Sequence, residues 1–126
     1  MDLAPKAAAL IPIFEAMPGA VGAPMSAARG SQPLVVIYKV MGRTFAIVGA
    51  RAEPFVILKC DPVLAETLRE QYAGIGHRSH LDRRYWIAVD LDADVPAGEV
   101  ARLAQHSYEQ VRAGLTKKQK AELAAA

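Results

Sequence analysis

Three kinds of chemistry-bearing residue stand out along the chain: a few imidazoles and one thiol, a run of aspartates, and clusters of guanidinium groups. His77 and His80, with Cys60 and His106, are the residue types that hold zinc, since neutral imidazole and thiolate are good donors to it. Two histidines three apart in a loop supply only half of a tetrahedral set, and His106 falls on the outer face of a predicted helix, so the pattern predicts no metal site. Asp90, Asp92 and Asp94 alternate like the opening of a calcium loop. The loop would need glycine at its sixth position and glutamate at its twelfth, where Val95 and Ala101 stand. A strand end followed by a turn accounts for the three carboxylates.

Cys60 comes just before a helix start, where a helix dipole can favour a thiolate. A nucleophile also needs a base and an oxyanion site, and no Cys-His-Asn set is readable here. A lone cysteine closing an apolar strand is ordinarily buried and inert. The sequence therefore predicts a chain that is not an enzyme and takes no cofactor.

The guanidinium groups are more suggestive. Arg78, His80, Arg83 and Arg84 lie close to Trp86, which offers a phosphate backbone several fork-shaped donors with an aromatic ring nearby. The same residues equally describe a solvated loop, and Asp82 sets a carboxylate inside the basic run. Trp86 opens an alternating segment with Ala88 and Asp90 on its own face, which predicts burial against a helix rather than stacking on bases. Lys39 and Arg43 flank a predicted hairpin turn. Such a tip could straddle phosphates, and charged hairpin ends also protect sheet edges.

The elements that must position these residues follow from hydrophobic pattern and turn chemistry. Residues 3–16 carry Leu10, Ile11, Ile13 and Phe14 among alanines and predict a helix, kinked or broken by Pro12. Residues 18–33, rich in glycine, proline, alanine and serine, predict a flexible loop with Val21 and Met25 as exposed apolar residues. Leu34 to Val40 and Arg43 to Val48 are dense in β-branched residues around Met41-Gly42, which predicts a hairpin; Phe55 to Cys60 adds a third strand. Asp61-Pro62 is a strong helix start, with Leu64, Leu68 and Tyr72 facing the sheet. A short strand near Gly76 to His80 and another from Trp86 to Leu91 precede a helix from Ala97 to Ala113. That helix buries Val100, Leu103, Ala104, Ser107 and Val111 and shows His106 to solvent. Thr116 and Gln119 have capping-box spacing for a last helix over 117–123.

The predicted fold class is thus α+β: an antiparallel sheet of about five strands, in the order α-β-β-β-α-β-β-α, flanked by helices in one domain over 1–126 with its core at 34–113. The length of 126 residues suits one core. No apolar run approaches the roughly 20 residues of a membrane span. Asp2, Pro5, Pro12 and Glu15 break up the N-terminal apolar stretch, so it is read as a helix and not a signal peptide. A single cysteine suits a reducing compartment, and the cytoplasm is expected. A net charge of +2 does not by itself mark a nucleic-acid binder.

Several landmarks occur in the order seen in one known family. Met17-Pro18-Gly19-Ala20, the hairpin Lys39-Val40-Met41-Gly42-Arg43-Thr44-Phe45-Ala46, the junction Lys59-Cys60-Asp61-Pro62 and the segment His80-Leu81-Asp82-Arg83-Arg84-Tyr85-Trp86 resemble motifs of the MmcQ/YjbR family. Val89-Asp90-Leu91, Asp94-Val95-Pro96 and Ser107-Tyr108 continue the resemblance. The chain departs from the family pattern at Asp82, Arg83 and Tyr85. The resemblance implies a helix-flanked antiparallel sheet and a double-wing mode of DNA binding. The expected function is non-enzymatic contact with the phosphates of double-stranded DNA through Lys39, Arg43, Arg78, His80, Arg83, Arg84 and Trp86. The alternative is a protein-interaction module that uses the sheet face, or the N-terminal helix and loop, to hold a protein partner.

Overall fold

A computed structural model describes residues 4–25, 35–50, 53–77 and 81–125. Among these residues, four helices and six strands are arranged as α1 (Pro5–Glu15), β1 (Ala20–Met25), β2 (Val35–Val40), β3 (Arg43–Gly49), β4 (Phe55–Lys59), α2 (Pro62–Gln71), β5 (Ile75–Gly76), β6 (Trp86–Asp90), α3 (Ala97–Ala113) and α4 (Lys117–Ala125). All neighbouring strands are antiparallel, in the spatial order β1-β2-β3-β4-β6-β5. The α+β class holds.

One strand lies where a loop was expected. Ala20–Met25, within the predicted 18–33 loop, pairs along its whole length with β2, from Ala20 opposite Val40 to Met25 opposite Val35. Its composition conceals it, because glycine and proline are poor strand formers and only Val21 is β-branched. Pro24 is tolerated because β1 is an edge strand, where one side of the backbone needs no ladder partner. Gly22 is required by packing: a Cβ there would come within 2.5 Å of the ring of Tyr38, its neighbour across the pair.

Local signals account for the remaining boundaries. Met41 and Gly42 both have positive φ, 49° and 79°, which is the backbone of the tight turns whose twist suits a two-residue hairpin. One Asp61 carboxylate oxygen accepts the N–H groups of Val63 and Leu64, each at 3.1 Å, and Pro62 occupies the first helical position, so the start of α2 is capped by side chain and ring together. Thr116 and Gln119 cap α4 reciprocally: the Gln119 N–H donates to the Thr116 hydroxyl at 3.1 Å and the Thr116 N–H to the Gln119 side chain at 3.0 Å. α1 runs through Pro12 without a break.

The core lies between one face of the sheet and the helices. Tyr38, Val48, Val56, Leu58, Ile87 and Val89 from the strands form one buried cluster with Leu10 and Phe14 of α1, Leu68 of α2, Leu103 and Tyr108 of α3 and Leu123 of α4. Phe45 stands at its centre, edge-on to Phe14 and Tyr108 with ring centroids 5.8 and 5.4 Å apart. A register shift between Tyr38 and Lys39 lets Phe45 bulge out of the pairing toward the helices.

A candidate nucleic-acid interface at one end of the sheet

The hairpin and the segment before β6 are separated by some forty residues of chain, yet strand register brings them together. Lys39 pairs with Thr44 and Val40 with Arg43 at the turn between β2 and β3. β4 runs antiparallel to β3, so Lys59, its last residue, lies at that same end, and Lys59 pairs with Trp86, the first residue of β6. The Cys60 N–H donates to the Tyr85 carbonyl at 2.7 Å, continuing the pairing into the turn that carries Arg83 and Arg84. Lys39, Arg43, Lys59, Arg83 and Arg84 therefore share one end of the sheet. With strands about 4.8 Å apart, Lys39 on β2 and Lys59 on β4 are separated by about 10 Å.

These cations are not equally available. Lys39, Arg43 and Arg83 are exposed. Arg84 is engaged by Asp82, whose carboxylate accepts its guanidinium at 2.9 Å and 3.2 Å and its backbone N–H at 2.9 Å. That hydrogen bonding from Arg84 holds the Asp82 carboxyl below its usual range. The Arg84 guanidinium also lies 5.4 Å from the centre of the Tyr85 ring. Arg78 and His80 lie outside the described residues.

Trp86 differs from expectation. It is half-buried, but it belongs to the face of the sheet opposite the helices and is not part of the helix-side cluster. Trp86 does share a face with Ala88 and Asp90, but that face points away from the helices, while Ile87 and Val89 face them.

Two residues that the basic pattern did not single out complete this end. Lys59 was hidden because it closes an apolar run, and only its pairing with Trp86 reveals its company. Arg69 of α2 braces the turn: its guanidinium donates to the carbonyls of Arg83 at 2.6 Å and Trp86 at 2.9 Å. A cleft of about 370 Å³ opens beside this brace, lined by Pro62, Glu66, Arg69, Glu70, Arg83 and Arg84.

The other chemistry-bearing residues are occupied by structural work. Cys60 is buried, and burial pushes its thiol up to about 11, so it is protonated at neutral pH. His106, expected at the surface, is half-buried, and its Nε2 accepts the Asp61 N–H at 3.2 Å, because α3 packs along β4 where α2 begins. His77 is bonded through Nε2 to the Leu81 carbonyl. Asp90 accepts the Asp92 N–H at 3.0 Å, and Asp94 accepts the N–H groups of Ala73 and Gly74 at 2.9 and 2.8 Å. Among the described residues, no three metal-binding side chains come together and no helix is long and apolar enough to cross a membrane.

Comparison with known proteins agrees with this architecture. A crystal structure of a Deinococcus radiodurans protein with the DUF419 domain superposes with a TM-score of 0.78 at 26% identity, covering 91% of this chain and 85% of that one. A Pseudomonas syringae protein shares the fold, with a TM-score of 0.57 at 20% identity over 71% of this chain and 86% of its own. The uncharacterised YjbR proteins of Escherichia coli strains K12 and O157:H7 are each 39% identical over 57 residues, 45% of this chain and 48% of theirs. The alignment thus spans about half the length of these curated relatives. The YjbR family model matches residues 16–110, which run from the end of α1 to the last turns of α3, and the chain belongs to the YjbR family.

Proposed function

We propose that the chain binds double-stranded DNA without chemical change, through phosphate contacts made from the basic end of its sheet. The observation that carries this reading is the convergence of Lys39 and Arg43 on the hairpin with Lys59 and Arg83 across β3 and β4. Two basic projections at one sheet end can straddle a phosphate backbone in the manner of paired wings, and lysine and arginine heads there release counterions on binding. Lys39, Arg43 and Arg83 are exposed and provide the main contacts. Arg84, already held by Asp82, contributes less. Such contacts fix position and carry little sequence information, so the binding is weak and tolerant of sequence. A reducing, cytoplasmic setting suits a buried thiol that takes no part in it.

Fluorescence anisotropy with a labelled duplex of about 20 base pairs at low ionic strength tests the reading. Arg43→Ala with Arg83→Ala lowers affinity by about tenfold or more, while Arg84→Ala has a smaller effect. A wild-type chain that fails to bind duplex DNA at low salt contradicts the proposal.

A further inference from the structure

The sheet has a second face on which no helix lies among the described residues. Register fixes which side chains share it. Ala23, Ile37, Ile47, Ile57 and Ala88 are paired in succession across β1, β2, β3, β4 and β6, forming an apolar rank across the middle of that face. None of them belongs to the helix-side core, although Ile57 and Ala88 are only 6% and 7% exposed. The accessible part of this rank is Ala23, Ile37 and Ile47, about 10 Å across three strands, with the two isoleucines partly exposed and Ile57 and Ala88 buried beside them, and it marks a contact surface.

The ranks on either side carry opposite charge. Toward the hairpin end stand Lys39 and Lys59, with Trp86 beside Lys59. At the other end Asp90, paired with Phe55, borders a hollow of about 480 Å³ that Glu53 and Asp92 also line. The face is basic, apolar and acidic in turn along the strand direction. A two-fold axis lying in the plane of this face, along the isoleucine rank, turns one copy onto another with its strands reversed. Isoleucines then meet isoleucines, and the Lys59 end of each copy meets the Asp90 hollow of the other, twice over.

We propose that this face is the contact surface of a homodimer, two sheets packed face to face. Self-complementarity of charge selects a second copy as the occupant, since a partner of one sign satisfies one end and is repelled by the other. Arg43 stands outside the contact, because its partner Val40 points to the helix side. Lys39 and Lys59, by contrast, belong to both the dimer face and the basic end proposed for duplex contact, so the two properties overlap at these lysines and not at Arg43.

Sedimentation velocity and light scattering on the full chain without nucleic acid, over a range of concentrations, test the proposal. A dimer is expected. Ile47→Asp, with an unchanged circular dichroism spectrum, gives a monomer, and Ile37→Lys serves if the first variant fails to fold. Lys59→Asp and Asp90→Lys each weaken association by about tenfold, and combining them restores most of it. A chain that stays monomeric at its highest soluble concentration overturns the proposal. So does a dimer indifferent to Ile47→Asp and Ile37→Lys, or a double charge swap that associates no better than either single one.

Discussion

The Ser107 hydroxyl of α3 accepts the backbone N–H of Lys59 at 2.8 Å and donates to the carbonyl of Phe45. The pairing of β3 with β4 ends at Ala46 opposite Leu58, and Phe45 and Lys59 are the next residues along. A helix side chain thus supplies the rung that the Phe45 bulge denies to the ladder, and it does so in a site with no solvent exposure.

Ser107→Ala removes that rung and leaves two backbone groups unsatisfied. It is expected to destabilise the fold by roughly 1–3 kcal/mol in urea unfolding, with little change in m. Ser107→Thr, which keeps the hydroxyl, should recover part of the loss. An alanine variant as stable as the wild type would show that the bridge contributes nothing.

Gly22→Ala tests the close approach of β1 to Tyr38. A methyl group there would sit 2.5 Å from a ring that is itself 1% exposed, so the ring or the edge strand must move. The expected cost is about 1–3 kcal/mol by denaturant titration. Gly76→Ala is the control, since a Cβ at that position meets nothing within 4 Å.

Asp94 ties the turn before α3 to the end of α2 by accepting N–H bonds from Gly74 and Ala73, and those bonds hold its carboxyl below the usual aspartate range. The sign follows from linkage: a folded-state pKa below the unfolded value of about 3.9 makes a contribution that is present above that value. It is lost as the pH falls through the folded one. Thermal unfolding as a function of pH should therefore show wild-type Tm falling more steeply than that of Asp94→Asn below about pH 4. Parallel curves would mean that Asp94 is not linked to folding.

Cys60 should be chemically silent in the native chain. It is 1% exposed and its thiol is pushed up to about 11 by burial, so little thiolate exists near neutral pH. A thiol-reactive chromogenic disulfide at pH 7.5 should label it about a hundredfold faster in denaturant than in buffer. Rapid labelling of the folded chain would reopen a reactive role.

What was legible in the sequence, and what was not, divides along the range of the interactions. Asp61-Pro62, Met41-Gly42 and the Thr116–Gln119 box are local devices whose geometry is set within a few residues, and each does its expected work. The strand Val35–Val40 announces itself by β-branched density. β1 does not, because Ala20–Met25 is a strand only by virtue of the edge that β2 offers it. The outward face of Trp86 and the bond from Asp61 to His106 depended on which side of the sheet the helices occupy, a tertiary matter. Lys59 joins the basic end because β6 pairs with β4 and not with β5 alone, an order that alternation along single strands does not specify.

The most direct test of DNA contact from the basic sheet end is the salt dependence of duplex binding, measured for the wild type and for Arg43→Ala with Arg83→Ala. If Lys39, Arg43 and Arg83 each neutralise one phosphate, the logarithm of the wild-type association constant falls with the logarithm of salt at a slope of about −2.7. The double variant should retain a slope of about −0.9. Equal slopes for the two proteins, or no measurable binding at the lowest salt, would contradict the account.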